Sequence, residues 1–334
     1  MRIALDATYS LGPNLSGVGV YSREMLTRLP LAHPGPDYRL CYRPHRYLRA
    51  PQPKTLLWPG WPLRVDLFHA LNQRVESKRY RRTISTFHDL FVISGDYSTP
   101  EFRARFTQQA RQAAERSDLI IAVSQFTADQ IAELLKFDHS RIRVVHHGVY
   151  PQPQGLTARS RTILFVGALQ KRKNVLRLIQ AFERTAPGWQ LVLAGSAGYG
   201  AQEILEAVGR SPRGADIEAP GYVSAEKLAK LYGSASIFAF PSLDEGFGMP
   251  VLEAMANGIP VLTSNQSALA EVAGSAALLV DPRETEAIAH GLQTLMDNEP
   301  VRSELIRKGY EHSSNFSWEG AVEKTWAVYR ELLD

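Results

Sequence analysis

The sequence predicts an α/β protein made of two doubly wound domains in succession. Short apolar runs of strand length alternate with longer helical patterns, which is typical of parallel strands joined by right-handed helical crossovers. This alternation stops in a segment rich in Pro, Gly and polar residues at 151–161 and then starts again, as expected at a linker. The length of 334 residues suits two compact domains of roughly 150 residues each.

The first domain is expected over residues 1–153. It opens with a buried strand at Arg2–Leu5, followed by a loop and a helix over about Val18–Leu29. Pro100–Arg116 is predicted to be an amphipathic helix with apolar residues on one side and arginines on the other. The other predicted elements are strands at Tyr38–Tyr42, Val65–Ala70, Thr83–Phe87 and Leu119–Val123, and a helix from an N-cap at Ser124 to Leu135.

The second domain is expected over residues 160–316, and a last helix over 317–334. The last helix carries Trp318, Trp326 and Tyr329 at helical spacing, and these large apolar groups need a partner. The predicted strands are Thr162–Val166, Trp189–Ala194, Ile237–Phe240, Pro260–Thr263 and Ala277–Val280. The predicted helices are Asn174–Arg184, Ala225–Ala235, Pro250–Asn257, Thr285–Asp297 and one from about Pro300.

The formal net charge of +4 conceals an asymmetry between the two halves. Residues 1–150 contain 21 Lys and Arg against 13 Asp and Glu, whereas residues 151–334 contain 17 against 21. The excess of basic residues in 1–150 indicates either a solvated surface or a face that meets anionic membrane lipids or a phosphate-linked acceptor. Nucleic acid is not expected as a partner, because zinc-finger spacing and RNA-recognition signatures are missing. The basic residues cluster at Lys78, Arg79, Arg81 and Arg82 and at Arg103, Arg105 and Arg111.

The composition favours a soluble protein in a reducing cytoplasm. No apolar run in the sequence approaches the ~18 to 20 residues needed to span a bilayer. Cys41 is the one cysteine, which excludes an intramolecular disulfide framework. The sequence contains no Asp-x-Asp pair and no His/Cys/Asp cluster at metal spacing, so no metal site is expected.

The segment 240–258 is the most informative part of the chain. It begins where a strand is predicted to end, and ligands of open α/β sheets bind beyond the carboxyl ends of strands. Gly246 and Gly248 permit tight turns and a close approach of backbone to ligand. Pro250 suits the first position of a helix and Gly258 suits the position just past its end.

Two glutamates flank the start of this predicted helix. Glu245 is expected on the preceding loop and Glu253 in the first turn. The N–H groups and the positive dipole end of the helix favour a nearby diphosphate, and the carboxylates suit sugar and ribose hydroxyls. The alternative is that Glu253 only complements the helix dipole and Glu245 is a surface acid.

His88 is the best catalytic candidate of the first domain. It follows the apolar strand Thr83–Phe87 and stands beside Asp89. The alternative is a structural histidine, which is the commoner case for a single histidine. Gly17 and Gly19 suggest a backbone approach to phosphate, but they lack the third glycine of a dinucleotide fingerprint, and a plain turn remains the alternative.

The whole chain resembles the family 4 retaining glycosyltransferases of the GT-B fold, especially their mannosyltransferase-like members. Residues 245–253 resemble the Glu-x7-Glu motif of that family, and Ala270 stands where proline is usual in a downstream signature. The other matching segments are Ser16–Tyr21, Phe87–Leu90, Val145–Val149, Val166–Asn174 and Ser267–Val272. The resemblance implies two Rossmann-like domains that face each other across a cleft, and a last helix that crosses back to the first domain.

The resemblance also implies a role for each candidate residue. Arg172 and Lys173 would grip the donor diphosphate, for which an Arg fork and a mobile Lys charge are suited. Glu245 would contact the donor sugar, Glu253 the ribose, and His88 the transferred group. The other donor-binding residues implied are Gly17, Gly19, Gly246, Phe247 and Gly248.

The predicted function is therefore metal-independent transfer of a hexose from a nucleoside-diphosphate sugar to a glycan or lipid-linked acceptor. Mannose from GDP-mannose is the first expectation, with UDP-glucose, UDP-linked amino sugars and dTDP-rhamnose as alternatives. A sugar-nucleotide epimerase with the same two-domain plan is the rival enzyme class. A nicotinamide-dependent oxidoreductase is disfavoured, because neither glycine loop has the full fingerprint with its acidic residue.

Overall fold

The computed structural model describes residues 1–12, 14–58, 64–75, 80–150 and 159–334. The chain divides into two compact units, one formed by Met1–Gly148 with Phe316–Asp334 and the other by Val149–Asn315. Lys78 and Arg79 of the predicted basic cluster lie outside the described residues, and so do residues 151–158 of the predicted linker.

The first unit is a parallel sheet with helical crossovers. The elements in chain order are β1 (Arg2–Asp6), α1 (Gly17–Ala32), β2 (Asp37–Tyr42), α2 (Pro44–Tyr47), β3 (Thr55–Leu56), β4 (Leu67–Ala70), β5 (Thr83–Phe87), α3 (Phe91–Ser94), α4 (Pro100–Arg116), β6 (Leu119–Ala122), α5 (Gln125–Leu135) and β7 (Ile142–Val144). The strands lie in the sheet in the order β3-β2-β1-β4-β5-β6-β7. All described pairings are parallel. The strand order reverses its direction of growth between β1 and β4, which is the topological switch point of a doubly wound sheet.

Local sequence signals set the helix starts as predicted. The Ser124 side chain caps α5 by accepting a hydrogen bond from the Thr127 N–H at 3.0 Å. Thr99 caps α4 in the same way, and α4 covers the predicted range Pro100–Arg116. The short strands β3 and β7 were not predicted, because two or three residues are too few to show a periodic pattern.

The second unit repeats this architecture. Its elements in chain order are β8 (Ser160–Val166), α6 (Val175–Glu183), β9 (Gln190–Ala194), α7 (Ala201–Arg210), β10 (Ile217–Gly221), α8 (Ala225–Ser234), β11 (Ala235–Phe240), α9 (Met249–Ala256), β12 (Val261–Ser264), α10 (Ser267–Ala273), β13 (Leu278–Val280), α11 (Thr285–Asp297) and α12 (Glu299–Ser313). The strands lie in the sheet in the order β10-β9-β8-β11-β12-β13. The switch point of this sheet lies between β8 and β11, which pair in parallel. The predicted fold class, two doubly wound α/β domains, is confirmed.

Sequence reasoning missed α7 and β10. Strand β10 is an edge strand that contains Pro220 and Gly221, and Ile217 is its one buried residue. An edge position tolerates proline, because one side of the strand needs no ladder hydrogen bonds. The segment therefore has neither the alternation nor the apolar run that marks a strand.

The C-terminal helix, α13 (Trp318–Leu333), belongs to the first unit and packs on α1. Trp318 and Tyr329 are fully buried there, and the Trp326 ring stacks on His33 with centroids 4.3 Å apart. The Tyr329 hydroxyl lies 2.6 Å from Nδ1 of His69 on β4. The aromatic side of this helix is thus buried against the first sheet and α1.

Candidate functional site

The candidate site of the second unit lies at the carboxyl ends of β8 and β11. Because these two strands are neighbours at the switch point, the loop after each begins side by side with the other. Arg172 and Lys173 come from the loop after β8, and Glu245 comes from the loop after β11. The Leu243 N–H donates to the Arg172 carbonyl at 2.9 Å, which ties the two loops together.

Glu245 joins the two cations in one buried cluster. Its Oε2 lies 2.7 Å from Nη1 of Arg172, and its Oε1 lies 2.5 Å from Nζ of Lys173. The Ser242 hydroxyl donates to the same Oε1 at 2.9 Å. Arg172 and Glu245 are each 7% exposed, and Lys173 is 9% exposed. All three are therefore buried, and Glu245 is not the surface acid of the alternative interpretation.

The charge state of this cluster follows from its geometry. Burial acts to raise the pKa of Glu245, but the charges of Arg172 and Lys173 outweigh it and hold the pKa at about 2. Glu245 is therefore ionised at neutral pH, and with its two cationic partners the cluster carries a net charge of +1. A buried positive charge at a strand end is suited to bind an anion.

Asn174 fixes the basic loop in place. It adopts a left-handed conformation with φ 60°, and its side-chain amide donates to the carbonyls of Pro241 at 3.0 Å and Pro282 at 2.6 Å. The prediction placed Asn174 inside the helix. It instead precedes α6, as the residue that turns the loop into the helix.

The predicted glycine loop before α9 is held by α10. Gly248 has φ +104°, a value that favours glycine, and a Cβ there would lie 2.5 Å from Cδ2 of Leu269. The Ser267 hydroxyl accepts a hydrogen bond from the Glu245 N–H at 3.3 Å. Phe247 is buried in the same loop, so it acts in part by anchoring the loop. The sequence did not predict that α10 supports the site.

Glu253 is not in the first turn of its helix, as predicted, but in the second. Helix α9 begins at Met249, so Pro250 is its second residue and Glu253 its fifth. The Tyr232 hydroxyl donates to Oε2 of Glu253 at 2.8 Å. Burial raises the pKa of Glu253, and the hydrogen bond from Tyr232 acts in the opposite direction. An acid in the second turn contributes little to the helix dipole, which removes that alternative interpretation.

His88 lies at the carboxyl end of β5 in the first unit, where the sequence predicted it. Its Nε2 lies 2.9 Å from the Leu71 carbonyl, and since a carbonyl only accepts, Nε2 carries the proton. Burial lowers the pKa of His88 to about 4, so the ring is neutral at pH 7. Tyr21 meets it edge-on at 4.9 Å and His147 stacks on it at 5.4 Å.

Gly17 and Gly19 lie in the first turn of α1, which begins one residue before the predicted start at Val18. Gly17 is exposed and Gly19 is buried. A Cβ on Gly19 would lie 2.9 Å from the Tyr9 carbonyl oxygen, so close packing already requires this glycine. N–H groups in the first turn of a helix have no partner within the helix, so both residues keep the donors that a phosphate would need.

Sequence reasoning missed a buried chain of hydrogen bonds behind His88. The His69 ring joins the Tyr329 hydroxyl at 2.6 Å to the Thr86 hydroxyl at 2.8 Å, and Thr86 contacts the Tyr21 hydroxyl at 3.0 Å. Burial lowers the pKa of His69 to about 3, so this ring is also neutral. Tyr21 thus links this series of hydrogen bonds to the ring of His88. Apart from the apolar setting of His69, nothing in the sequence indicated these long-range contacts.

Among the described residues, no group of three or more His, Cys, Asp or Glu side chains lies close enough to hold a metal ion. Within the same ranges, no helix has both the length and the hydropathy to span a bilayer.

Family comparisons match both halves of the chain. Residues 16–152 match the family described as Glycosyltransferase Family 4, and residues 149–312 match Glycosyl transferases group 1. The chain belongs to the family 4 glycosyltransferases of the GT-B fold, and the predicted glycosyltransferase activity is confirmed.

Relatives and solved structures agree with this assignment. The chain is similar to O-antigen chain mannosyltransferase B of Escherichia coli, with 28% identity over 98% of this chain and 99% of that protein. It is 30% identical to an uncharacterised glycosyltransferase of Methanocaldococcus jannaschii over 81% of this chain and 76% of the relative. Its fold is similar to that of an Anabaena protein solved in complex with UDP and glucose, with a TM-score of 0.77 and 16% identity over 99% of this chain and 100% of that one.

Proposed function

We propose that this glycosyltransferase transfers mannose from GDP-mannose, with retention of configuration and without a metal ion, to a glycan or lipid-linked acceptor. The observation that carries the proposal is the buried cluster of Arg172, Lys173 and Glu245 at the switch point of the second unit. The similarity to an O-antigen mannosyltransferase supports mannose as the sugar.

In this proposal the two cations bind the donor diphosphate. Arg172 presents a guanidinium fork and Lys173 a single charge, and both are already placed and desolvated. As the bond to the anomeric carbon breaks, negative charge develops on the leaving phosphate, and preorganised cations stabilise it without reorganisation. The N–H groups at the start of α9 add partial positive charge, so these groups are proposed to take the role that a metal ion has in other transferases.

The two glutamates are proposed to orient the donor through its hydroxyl groups. Glu245 is ionised, and its Oε1 already accepts from Lys173 and Ser242. Its Oε2 contacts Arg172 and has a second lone pair, which can accept from a sugar hydroxyl. Glu253 keeps Oε1 available for the ribose. His88, neutral and protonated on Nε2, has only its Nδ1 lone pair left, and this can accept from a hydroxyl of the transferred sugar.

We propose that the reaction is a front-face displacement. The glycosidic bond forms between the acceptor oxygen and the anomeric carbon while the bond to the phosphate oxygen breaks. The leaving phosphate takes the proton of the acceptor hydroxyl. A covalent sugar adduct on Glu245 or on another side chain would contradict this step, and mass spectrometry of quenched protein tests for it.

The donor is tested most directly by thermal shift with GDP, UDP, dTDP and their sugars, with and without EDTA. We expect the largest stabilisation from GDP and GDP-mannose, and no change on adding EDTA. Selective stabilisation by UDP would identify a UDP-sugar donor, which the UDP-bound Anabaena structure makes the second candidate. No response to any nucleotide would contradict the proposal as a whole, and loss of the shift with EDTA would contradict the metal-independent mechanism.

We also propose peripheral contact with an anionic membrane at the cytoplasmic face, through α4 of the first unit. The exposed Phe102 ring lies 5.4 Å from the Arg105 guanidinium, and Arg111 is exposed on the same helix. An apolar ring beside arginines suits an anionic lipid surface. Co-sedimentation should be stronger with phosphatidylglycerol vesicles than with phosphatidylcholine vesicles, and R105A/R111A should remove the difference. Equal binding to both would contradict the proposal.

A further inference from the structure

Tyr232 and Glu253 form a buried pair from two different helices. Tyr232 lies on α8 and is 4% exposed, and its hydroxyl donates to Oε2 of Glu253 on α9 at 2.8 Å. The Tyr232 ring also lies beside Phe238 of β11, with centroids 6.0 Å apart. The phenol is therefore held by packing on one side and by a carboxylate at its tip.

The contact leaves the two oxygens of Glu253 in different states. Oε2 accepts the phenol hydrogen bond, whereas Oε1 accepts none from any side chain in the described ranges. Glu253 as a whole is partly exposed, whereas its partner Tyr232 is buried. On the backbone, the Glu253 carbonyl accepts from the Asn257 side chain at 2.8 Å and from its N–H at 3.0 Å, which fixes the base of the side chain.

A role in stability alone does not account well for this arrangement. A buried phenol needs an acceptor, and a backbone carbonyl or a neutral amide would serve without placing an ionisable carboxyl in a partly buried position. Burial raises the pKa of Glu253, and the phenol hydrogen bond opposes this effect without outweighing it. The phenol thus favours the acceptor form of the carboxyl and fixes its position on α9.

We propose that Tyr232 is a positioning residue that holds Glu253 so that its free oxygen selects a ribose over a deoxyribose in the donor nucleotide. This rests on the proposed function, in which Glu253 accepts hydrogen bonds from the ribose hydroxyls. Without the phenol, the Glu253 side chain can rotate, and it loses the hydrogen bond that favours its ionised form. The site would then bind the donor without distinguishing whether its ribose hydroxyls are present.

The test compares the binding of GDP, 2′-deoxy-GDP and 3′-deoxy-GDP to the full chain by calorimetry. UDP and 2′-deoxy-UDP serve as the second nucleotide pair. In the wild type we expect GDP to bind about tenfold or more tightly than the weaker deoxy analogue, because a hydrogen bond between a ribose hydroxyl and Glu253 is lost. Tyr232→Phe should reduce this ratio to about twofold or less, as Glu253→Gln should. The affinity for the deoxy analogue should stay within about twofold.

Two further variants separate positioning from folding. Tyr38→Phe in the first unit removes another part-buried phenol that donates to backbone carbonyls, and it should leave the ratio unchanged. Replacing Tyr232 with 3-fluorotyrosine keeps the ring and strengthens the donor, so it should preserve the ratio. If Tyr232→Phe does not fold, loss of the ratio in the fluorotyrosine protein would overturn the proposal.

The outcomes distinguish this proposal from the proposed function. A wild type that binds no nucleoside diphosphate contradicts both. A wild type that prefers ribose, loses the preference in Glu253→Gln and keeps it in Tyr232→Phe overturns the role of Tyr232 alone. A tenfold preference that falls in both variants supports the assignment.

Discussion

Nζ of Lys173 lies 2.5 Å from Oε1 of Glu245, and the same ammonium lies 4.6 Å from the centroid of the Phe240 ring. The lysine that the sequence assigned to a phosphate is thus held by a carboxylate of the neighbouring strand end. In the absence of ligand, Glu245 partly neutralises the cations and keeps them in place. A bound diphosphate would share these cations with Glu245, because the cluster retains one positive charge.

This relationship predicts three effects of Glu245→Gln. The free energy of unfolding should fall by about 3 kcal/mol, because two buried cations lose their partner. GDP should bind several-fold more tightly, because the competing carboxylate is gone. Under the proposed function, mannose transfer should fall about 100-fold or more, because the variant lacks the group proposed to orient the sugar and balance charge. Denaturant unfolding, calorimetry and initial rates measure the three effects.

Glu304→Gln is the matched control for this variant. Glu304 pairs with Arg307 on the exposed surface of α12, with a distance of 2.8 Å between Oε1 and Nη2. Because solvent screens such pairs, all three measurements should stay close to those of the wild type. GDP binding that weakens in Glu245→Gln would contradict the idea that Glu245 competes for the cations.

The pKa of His88 predicts how stability depends on pH. Burial lowers this pKa from its ordinary 6.5 to about 4, so between these values the unfolded chain binds a proton that the folded chain does not. Stability from this group is complete above about pH 6.5 and is lost as the pH falls towards 4, by up to about 3 kcal/mol. Urea unfolding from pH 7 to pH 4 measures the slope. His88→Gln should make the slope shallower without abolishing it, because burial also lowers the pKa of His69 and of His147. An equal slope in both proteins would contradict the buried neutral imidazole.

The sequence was sufficient to predict elements whose signals are local. The two-domain plan, the cap at Ser124, and the position of Glu245 on a loop after a strand all follow from periodicity and from capping or turn residues. Glu253 was misplaced by one turn, because the sequence does not show which residue after Gly248 begins the helix.

Contacts between distant residues could not be predicted in this way. Tyr232 and Glu253 are 21 positions apart, and His69 and Tyr329 are 260 apart. Which polar groups meet depends on the packing of helices on the sheet, and no local pattern records it. The same holds for Lys173 and Glu245, which were both predicted as site residues but not as partners of each other.

Tyr329→Phe should destabilise the first unit without affecting nucleotide binding. The variant removes the hydrogen bond to Nδ1 of the buried His69 and leaves that nitrogen unsatisfied, which costs about 1–3 kcal/mol. The side chains proposed to bind the diphosphate and the ribose are Arg172, Lys173 and Glu253 of the second unit, so the affinity for GDP should stay the same. Denaturant unfolding and calorimetry test the two parts. An unchanged stability would mean that another group replaces the hydroxyl.

Gly248→Ala should destabilise the protein and weaken donor binding together. The position has φ +104°, and the new Cβ would lie 2.5 Å from Cδ2 of the fully buried Leu269, so both the backbone and α10 must shift. A strained backbone of this kind costs about 1–3 kcal/mol, and a moved loop carries Glu245 away from its partners. Gly209→Ala is the control, because Gly209 lies inside α7 with nothing within 4 Å of its Cβ position. An alanine at position 209 should stabilise the helix by about 0.5–1 kcal/mol. Changes of opposite sign in the free energy of unfolding of the two variants would show that glycine is required in the loop before α9.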